Sequence, residues 1–191
     1  MPIEEDEHGT YIMNSRDLRA VEHVERLVKM GVDSLKIEGR TKSHYYTART
    51  AQVYRKAIDD AVAGRPFDAS LLGRLENLAN RGYTDGFFQR HHAHEYQNYI
   101  DSHSKSLQQR FVGELVAYNN DTGMAEVEVK NRFAVGDELE LIAPGGNRVF
   151  RLQNMLDMHG QSTEIAPGSG HRVQIALDEA ECKMGLLARN F

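Results

Sequence analysis

The stretch Ser34-Leu35-Lys36-Ile37-Glu38-Gly39-Arg40-Thr41-Lys42-Ser43-His44-Tyr45-Tyr46 decides how the first half of this chain is read. Val32 to Ile37 forms a short strand-like run that ends in charge and glycine. Ser43 then caps a helical pattern that continues to about Ala63 and stops at Gly64. Upstream, Ser15 reads as the cap of a helix with Asp17 in its first turn. Leu18, Val21, Val24, Leu27 and Val28 form its apolar face, and Gly31 ends it. Downstream, Asp68 or Ser70 caps a third helix that buries Leu71, Leu72, Leu75 and Leu78 and ends at Arg81-Gly82. Helices alternating with a short, mostly apolar strand predict a parallel α/β architecture. A single strand makes no sheet, so this reading expects further strands on the N-terminal side.

A charged strand-to-helix corner is where parallel α/β proteins place substrate groups, because the loops open at the carboxyl ends of the strands. The two-residue strand period puts Lys36 and Glu38 on one face. Glu38 is therefore the candidate catalytic carboxylate, and an internal ion pair with Lys36 is the structural alternative. In the helix that follows, Lys42, Tyr45, Arg49, Gln52 and Lys56 form a stripe opposite Tyr54 and Ile58. From Lys36 to Lys56 there are six Lys/Arg against one Glu. Arg40, Lys42, Tyr45 and Arg49 are accordingly the candidate substrate-binding set, suited to an anion or a stacked base, and a solvated helix face is the plainer alternative.

From Gln89 to about Leu107 the sequence loses periodicity and gathers His91, His92, His94 and His103, as a linker does. Alternating runs then begin, at Phe111 to Tyr118, Met124 to Lys130, Glu138 to Ala143, Arg148 to Gln153, Ser162 to Ile165 and His171 to Leu177. Asn119-Asn120-Asp121-Thr122-Gly123 and Pro144-Gly145-Gly146-Asn147 are typical of the turns between them. Many short strands without a helix predict a small closed β-barrel. The segmentation is thus an α/β segment over residues 1–88, a linker over 89–107 and a β-barrel over 108–191.

Composition narrows the function classes. A net charge of −5 argues against whole-surface attraction to nucleic acid and leaves local basic patches as the means of binding it. One cysteine, Cys182, excludes a disulfide framework or an all-cysteine metal site within this chain. No apolar span or leader pattern appears in the sequence, which predicts a cytoplasmic protein. The acidic run Glu4-Glu5-Asp6-Glu7-His8 and the histidines near position 92 lack metal-ligand spacing and read as surface segments, so no metal site is assigned.

Three blocks carry a family resemblance. They are Glu5-Asp6-Glu7-His8-Gly9-Thr10-Tyr11-Ile12-Met13-Asn14-Ser15-Arg16-Asp17-Leu18, the opening stretch with Lys42, Tyr45 and Tyr46, and Asn80-Arg81-Gly82-Tyr83-Thr84-Asp85-Gly86-Phe87. Together they resemble the U-32 (collagenase-like) peptidase family, and the segment after Gln108 resembles that family's C-terminal β-domain. The resemblance implies the C-terminal part of a TIM-like α/β barrel followed by the small β-barrel domain. It further implies a portion of a tRNA-modifying enzyme that, with prephenate, forms 5-hydroxyuridine at the wobble position. Longer members carry a cysteine-rich signature tied to an iron–sulfur cluster, which this sequence lacks. The implied partners are tRNA and the other half of the barrel. A non-catalytic RNA- or protein-binding module, and a U-32-type peptidase, are the alternative readings.

Overall fold

The computed structural model describes residues 3–6, 9–12, 14–39, 42–78, 80, 82–88, 97–98, 109–178 and 183–191. Arg40, Cys182 and the histidines of the expected linker lie outside the described residues. The chain divides into two units, residues 1–107 and 108–191.

In the first unit, β1 (Ile3–Asp6) and β2 (Gly9–Ile12) form an antiparallel pair. β3 (Asn14–Ser15) and β4 (Asp17–Leu18) follow, then a 3₁₀ turn (Val21–His23) and the short helix α1 (Val24–Lys29). The helix expected from Ser15 thus begins later, and its first residues are strand. Non-local hydrogen bonding explains the difference, since Asp17 N donates to Gly82 O at 2.9 Å and Arg19 N to Thr84 O at 2.8 Å. These bonds join β4 in parallel to a strand 66 positions on, pairing Asp17 with Tyr83 and Leu18 with Thr84.

Gly31 closes α1 as expected. In a left-handed conformation (φ 81°) it donates to Val28 O while Val32 N reaches Leu27 O, satisfying two terminal carbonyls. The run Val32 to Ile37 is irregular chain with no ladder partner among the described residues, so the expected strand is not formed there. α2 (His44–Val62) begins where the sequence places it, with Ser43 Oγ accepting from Tyr46 N at 3.2 Å. α3 (Ser70–Glu76) buries Leu71 and Leu75, followed by Leu78, and Asp68 Oδ1 accepts from Ser70 N at 3.0 Å. β5 (Tyr83–Thr84) and β6 (Gln97–Asn98) complete the unit, β6 pairing with β3.

The buried face of α2 is rotated from the side of Tyr54 and Ile58, which the sequence sets opposite the basic stripe. Tyr45, Arg49, Val53, Ala57 and Asp60 point inward, whereas Ala51 and Val62 are exposed. The basic stripe read from the sequence therefore lies partly under the helix. Of its other cations, Lys56 pairs with Asp60 one turn on and Lys42 with Asp17, and the neighbouring Arg55 pairs with Asp59 at 2.5 Å. Lys56, and then Arg65, hold the Asp60 carboxyl below the ordinary aspartate value. A depressed folded-state pKa stabilises above the unfolded aspartate pKa and is lost as pH falls through the folded value. Asp60→Asn should therefore flatten the acid limb of the thermal-midpoint profile below about pH 4, and an unchanged limb would count against the linkage.

The second unit is antiparallel. Its strands are β7 (Gln109–Asn119), β8 (Met124–Val129), β9 (Phe133–Ala134), β10 (Glu138–Ala143) and β11 (Gly146–Arg151). They continue with β12 (Leu156–Asp157), β13 (Ile165–Ala166), β14 (Arg172–Ala176) and β15 (Leu186–Asn190). The sheet runs β11-β10-β15-β7-β8-β14-β12, with β9 and β13 forming a separate pair. Strict alternation in β8 turns Ala125, Val127 and Val129 inward. They meet Val112, Phe133, Leu139, Leu141 and Ile175 in one core. Gly113 is required where β7 approaches β8, since a Cβ there would sit 2.5 Å from a Val127 methyl carbon. The order is open at β11 and β12, so the expected closure is not a hydrogen-bonded ladder among the described residues. No helix among the described residues is long and apolar enough to cross a membrane.

Candidate functional site

A cavity of about 510 Å³ opens in the first unit between the stretch 34–39, β4, the first turns of α2, and Tyr83 with Phe88. The β4–β5 ladder places Asp17 beside Tyr83, and α2 brings Tyr46 and Tyr54 to the same wall. Lys42, just before the Ser43 cap, reaches back so that its Nζ donates to Asp17 Oδ2 at 2.6 Å. Both partners are largely shielded, with side-chain exposures of 17% for Lys42 and 9% for Asp17. The same ammonium lies 4.8 Å from the Tyr46 ring centroid.

The phenols are fixed by backbone groups. Tyr83 Oη donates to Leu75 O at 2.7 Å, and Tyr54 Oη accepts from Ala20 N at 2.9 Å. The Arg19 guanidinium lies 4.9 Å from the Tyr83 centroid and donates to Glu76 at 3.2 Å. Burial raises the Tyr46 hydroxyl pKa, and the Asp17 charge raises it further. Burial, then neighbouring Tyr46 and Asp17, push Tyr83 well above the ordinary phenol value. Burial likewise raises Tyr54, partly offset by the Ala20 hydrogen bond. All three stay protonated at neutral pH and serve as neutral hydrogen-bonding groups. The turn into β5 is local chemistry, with Asn80 Oδ1 accepting from Gly82 N at 2.9 Å. Phe88 is backed by His23, whose ring stacks on it at 4.8 Å.

The residues singled out in the sequence are dispersed by this arrangement. Glu38 lines the cavity but is largely exposed and pairs with Lys36 at 2.9 Å. Lys42 lines it as well. Tyr45 and Arg49 are buried on the inner face of α2 and are not among the lining residues. Arg40 lies outside the described residues. Asp17, Tyr46, Tyr54 and Tyr83 are wall residues that the sequence reading did not select. The Gly82-Tyr83-Thr84 triplet, two β-formers after a glycine, was the available signal for a second strand.

The model of peptidase family U32 matches residues 2–98, and that of the peptidase family U32 C-terminal domain matches residues 108–189. Tyr83, Asp17 and Lys42 all fall within the first match. The chain is 60% identical over 188 residues to tRNA hydroxylation protein P of Escherichia coli (strain K12), covering 98% of this chain and 41% of that protein. It is 33% identical to tRNA hydroxylation protein P1 of Bacillus subtilis (strain 168), covering 91% of this chain and 42% of that one. A protein named collagenase from Porphyromonas gingivalis is 27% identical, with 93% of this chain and 50% of the relative covered. The chain thus spans about two fifths of the tRNA hydroxylation proteins it matches. Matched along both units by models of one family, the chain belongs to peptidase family U32.

Proposed function

We propose that this chain is the C-terminal portion of a tRNA-modifying protein that forms 5-hydroxyuridine at the wobble position. Its 60% identity to a protein named for tRNA hydroxylation supports the reading. The observation that carries it to a site is the Lys42 ammonium, held between Asp17 and the Tyr46 ring at the edge of a tyrosine-lined cavity. A flat or cyclic ligand with a carboxylate, such as prephenate, would lay its ring against the tyrosines. Its anionic group would meet Lys42 and Arg40. Glu38, paired with Lys36, would orient the basic groups or relay a proton, while buried Tyr45 and Arg49 would support the start of α2.

The parallel β4–β5 pair and the helices around it would belong to a TIM-like barrel completed by strands from the rest of the protein, the tRNA docking across both. An iron–sulfur cluster takes several cysteine thiolates. The chain has one cysteine, so its residues do not fit such a cluster and no step is assigned to one here. Replacing Arg40 by Ala in the full-length protein should lower wobble hydroxyuridine at least about tenfold, which corresponds to one lost charge-assisted contact. Mass spectrometry of digested tRNA is the readout, and unchanged modification would overturn the assignment.

A further inference from the structure

We propose that Arg110, Arg132, Arg189 and Phe191, at one end of the second unit, form a docking platform for single-stranded RNA. This rests on the reading of the chain as part of a tRNA-modifying protein and adds a surface that the cavity does not contain. The starting observation is a like-charge pair. Arg189 of β15 stands directly opposite Arg110 of β7 in the antiparallel register. Like charges in that position repel and weaken a sheet, so an anion that bridges them would relieve a built-in cost.

Asp137 compensates one of the two, its Oδ2 lying 3.1 Å from Arg189 Nε while also accepting from Ala134 N at 2.8 Å. The second observation is aromatic. Phe191 is 66% exposed, and its ring centroid lies 5.3 Å from the Arg110 guanidinium and 5.1 Å from that of Arg189. An apolar side chain that large gains nothing from solvent. Both guanidiniums lie over the ring while the residue stays largely exposed, and an aromatic carrying stacked cations is a surface on which unpaired bases stack while their phosphates meet the guanidiniums.

A third cation lies close by. Asn131 Nδ2 donates to Phe111 O at 2.8 Å and Lys130 N to Val112 O at 2.8 Å, which brings the turn carrying exposed Arg132 against the start of β7. Two other basic groups of the sheet are matched by acids. Arg172 meets Glu126 at 2.7 Å, and Lys130 sits between Glu128 and Glu114 at 2.7 and 3.2 Å. Arg148 of β11 lies 5.2 Å from the Phe150 ring centroid, at the other edge of the sheet from β14. Around Phe191, Arg110 and Arg189 face Asp137, and Glu138 lies one residue on, its Oε1 accepting from Asn190 Nδ2 at 2.8 Å, in a chain whose net charge is −5. A duplex would offer phosphates but no open base for Phe191, which favours single strands.

The test is fluorescence anisotropy of a labelled twelve-nucleotide uridine-rich RNA against the whole chain across a salt series. Phe191→Ala should weaken binding at least about fivefold, and Phe191→Tyr should retain it. Arg110→Ala should weaken binding and reduce the slope of log K against log salt by about 0.7. Circular dichroism of each variant reports folding, and Arg110→Ala carries the test if Phe191→Ala misfolds. Binding by wild type that both alanine variants leave unchanged would overturn the platform while leaving the tRNA reading intact. Absence of binding by wild type would overturn the platform, and the Arg40 experiment then decides the tRNA reading separately. Equal displacement of the RNA by polyglutamate would overturn it in favour of an acidic protein partner.

Discussion

Asp17→Asn should destabilise the chain by about 2 kcal/mol, and the double variant Asp17→Asn/Lys42→Met should recover most of that loss. Ion-pair removal is asymmetric in its effect. Removing one member of a well-buried ion pair strands the other charge and costs about 3–5 kcal/mol, whereas replacing both members by neutral groups of similar volume is nearly neutral. Exposures of 9% for Asp17 and 17% for Lys42 place this pair near the buried limit without reaching it, which moderates the expected figure. Urea unfolding followed by far-ultraviolet circular dichroism gives the three values needed for the cycle. A loss below about 0.5 kcal/mol in the single variant would make the pair an ordinary surface contact. Recovery in the double variant, together with loss of wobble hydroxyuridine in the full-length protein, would separate the chemical role of Lys42 from its structural one.

Phe133→Ala is the second large effect, expected to cost about 3–5 kcal/mol because an aromatic ring leaves a cavity its neighbours cannot fill. Phe133 is fully buried at the centre of the second unit's core, and the residue opposite it on β13, Ala166, is equally buried. The loss is best read locally, since the two units need not unfold together. Hydrogen exchange of peptides from β8 and β10 should accelerate more than about a hundredfold under native conditions. Val149→Ala, at a side chain 55% exposed on β11, should leave those rates within about twofold. Similar rates in both variants would mean that the core does not depend on this ring.

Local signals were legible and distant pairings were not. Ser43 and Gly64 bracket α2 within a residue of the observed helix, because capping is chemistry between near neighbours. Glu138 to Ala143 is strand β10 without adjustment, since alternation and flanking turns suffice. The rotation of α2 was misread because Tyr45 and Arg49 have both apolar bodies and polar tips, so composition alone does not say which side they cover. β15 escaped because its partners, β7 and β10, lie far back in the sequence. The candidate site divides in the same way. Lys42 was read from its own neighbourhood, whereas Asp17 and Tyr83 join it only through a ladder between segments 66 positions apart.

That ladder also bears on the order of folding. Pairing β4 with β5 closes a loop of about 65 residues, against a few residues for the turn between β7 and β8. The difference in closure entropy is about 2 kcal/mol, and the two-residue strands offer few hydrogen bonds to offset it. Such a pair follows helix packing instead of nucleating it. The wall that holds Asp17 against Tyr83 would therefore be set late, after α2 and α3 have docked, so a folding intermediate with native helices would still lack the cavity.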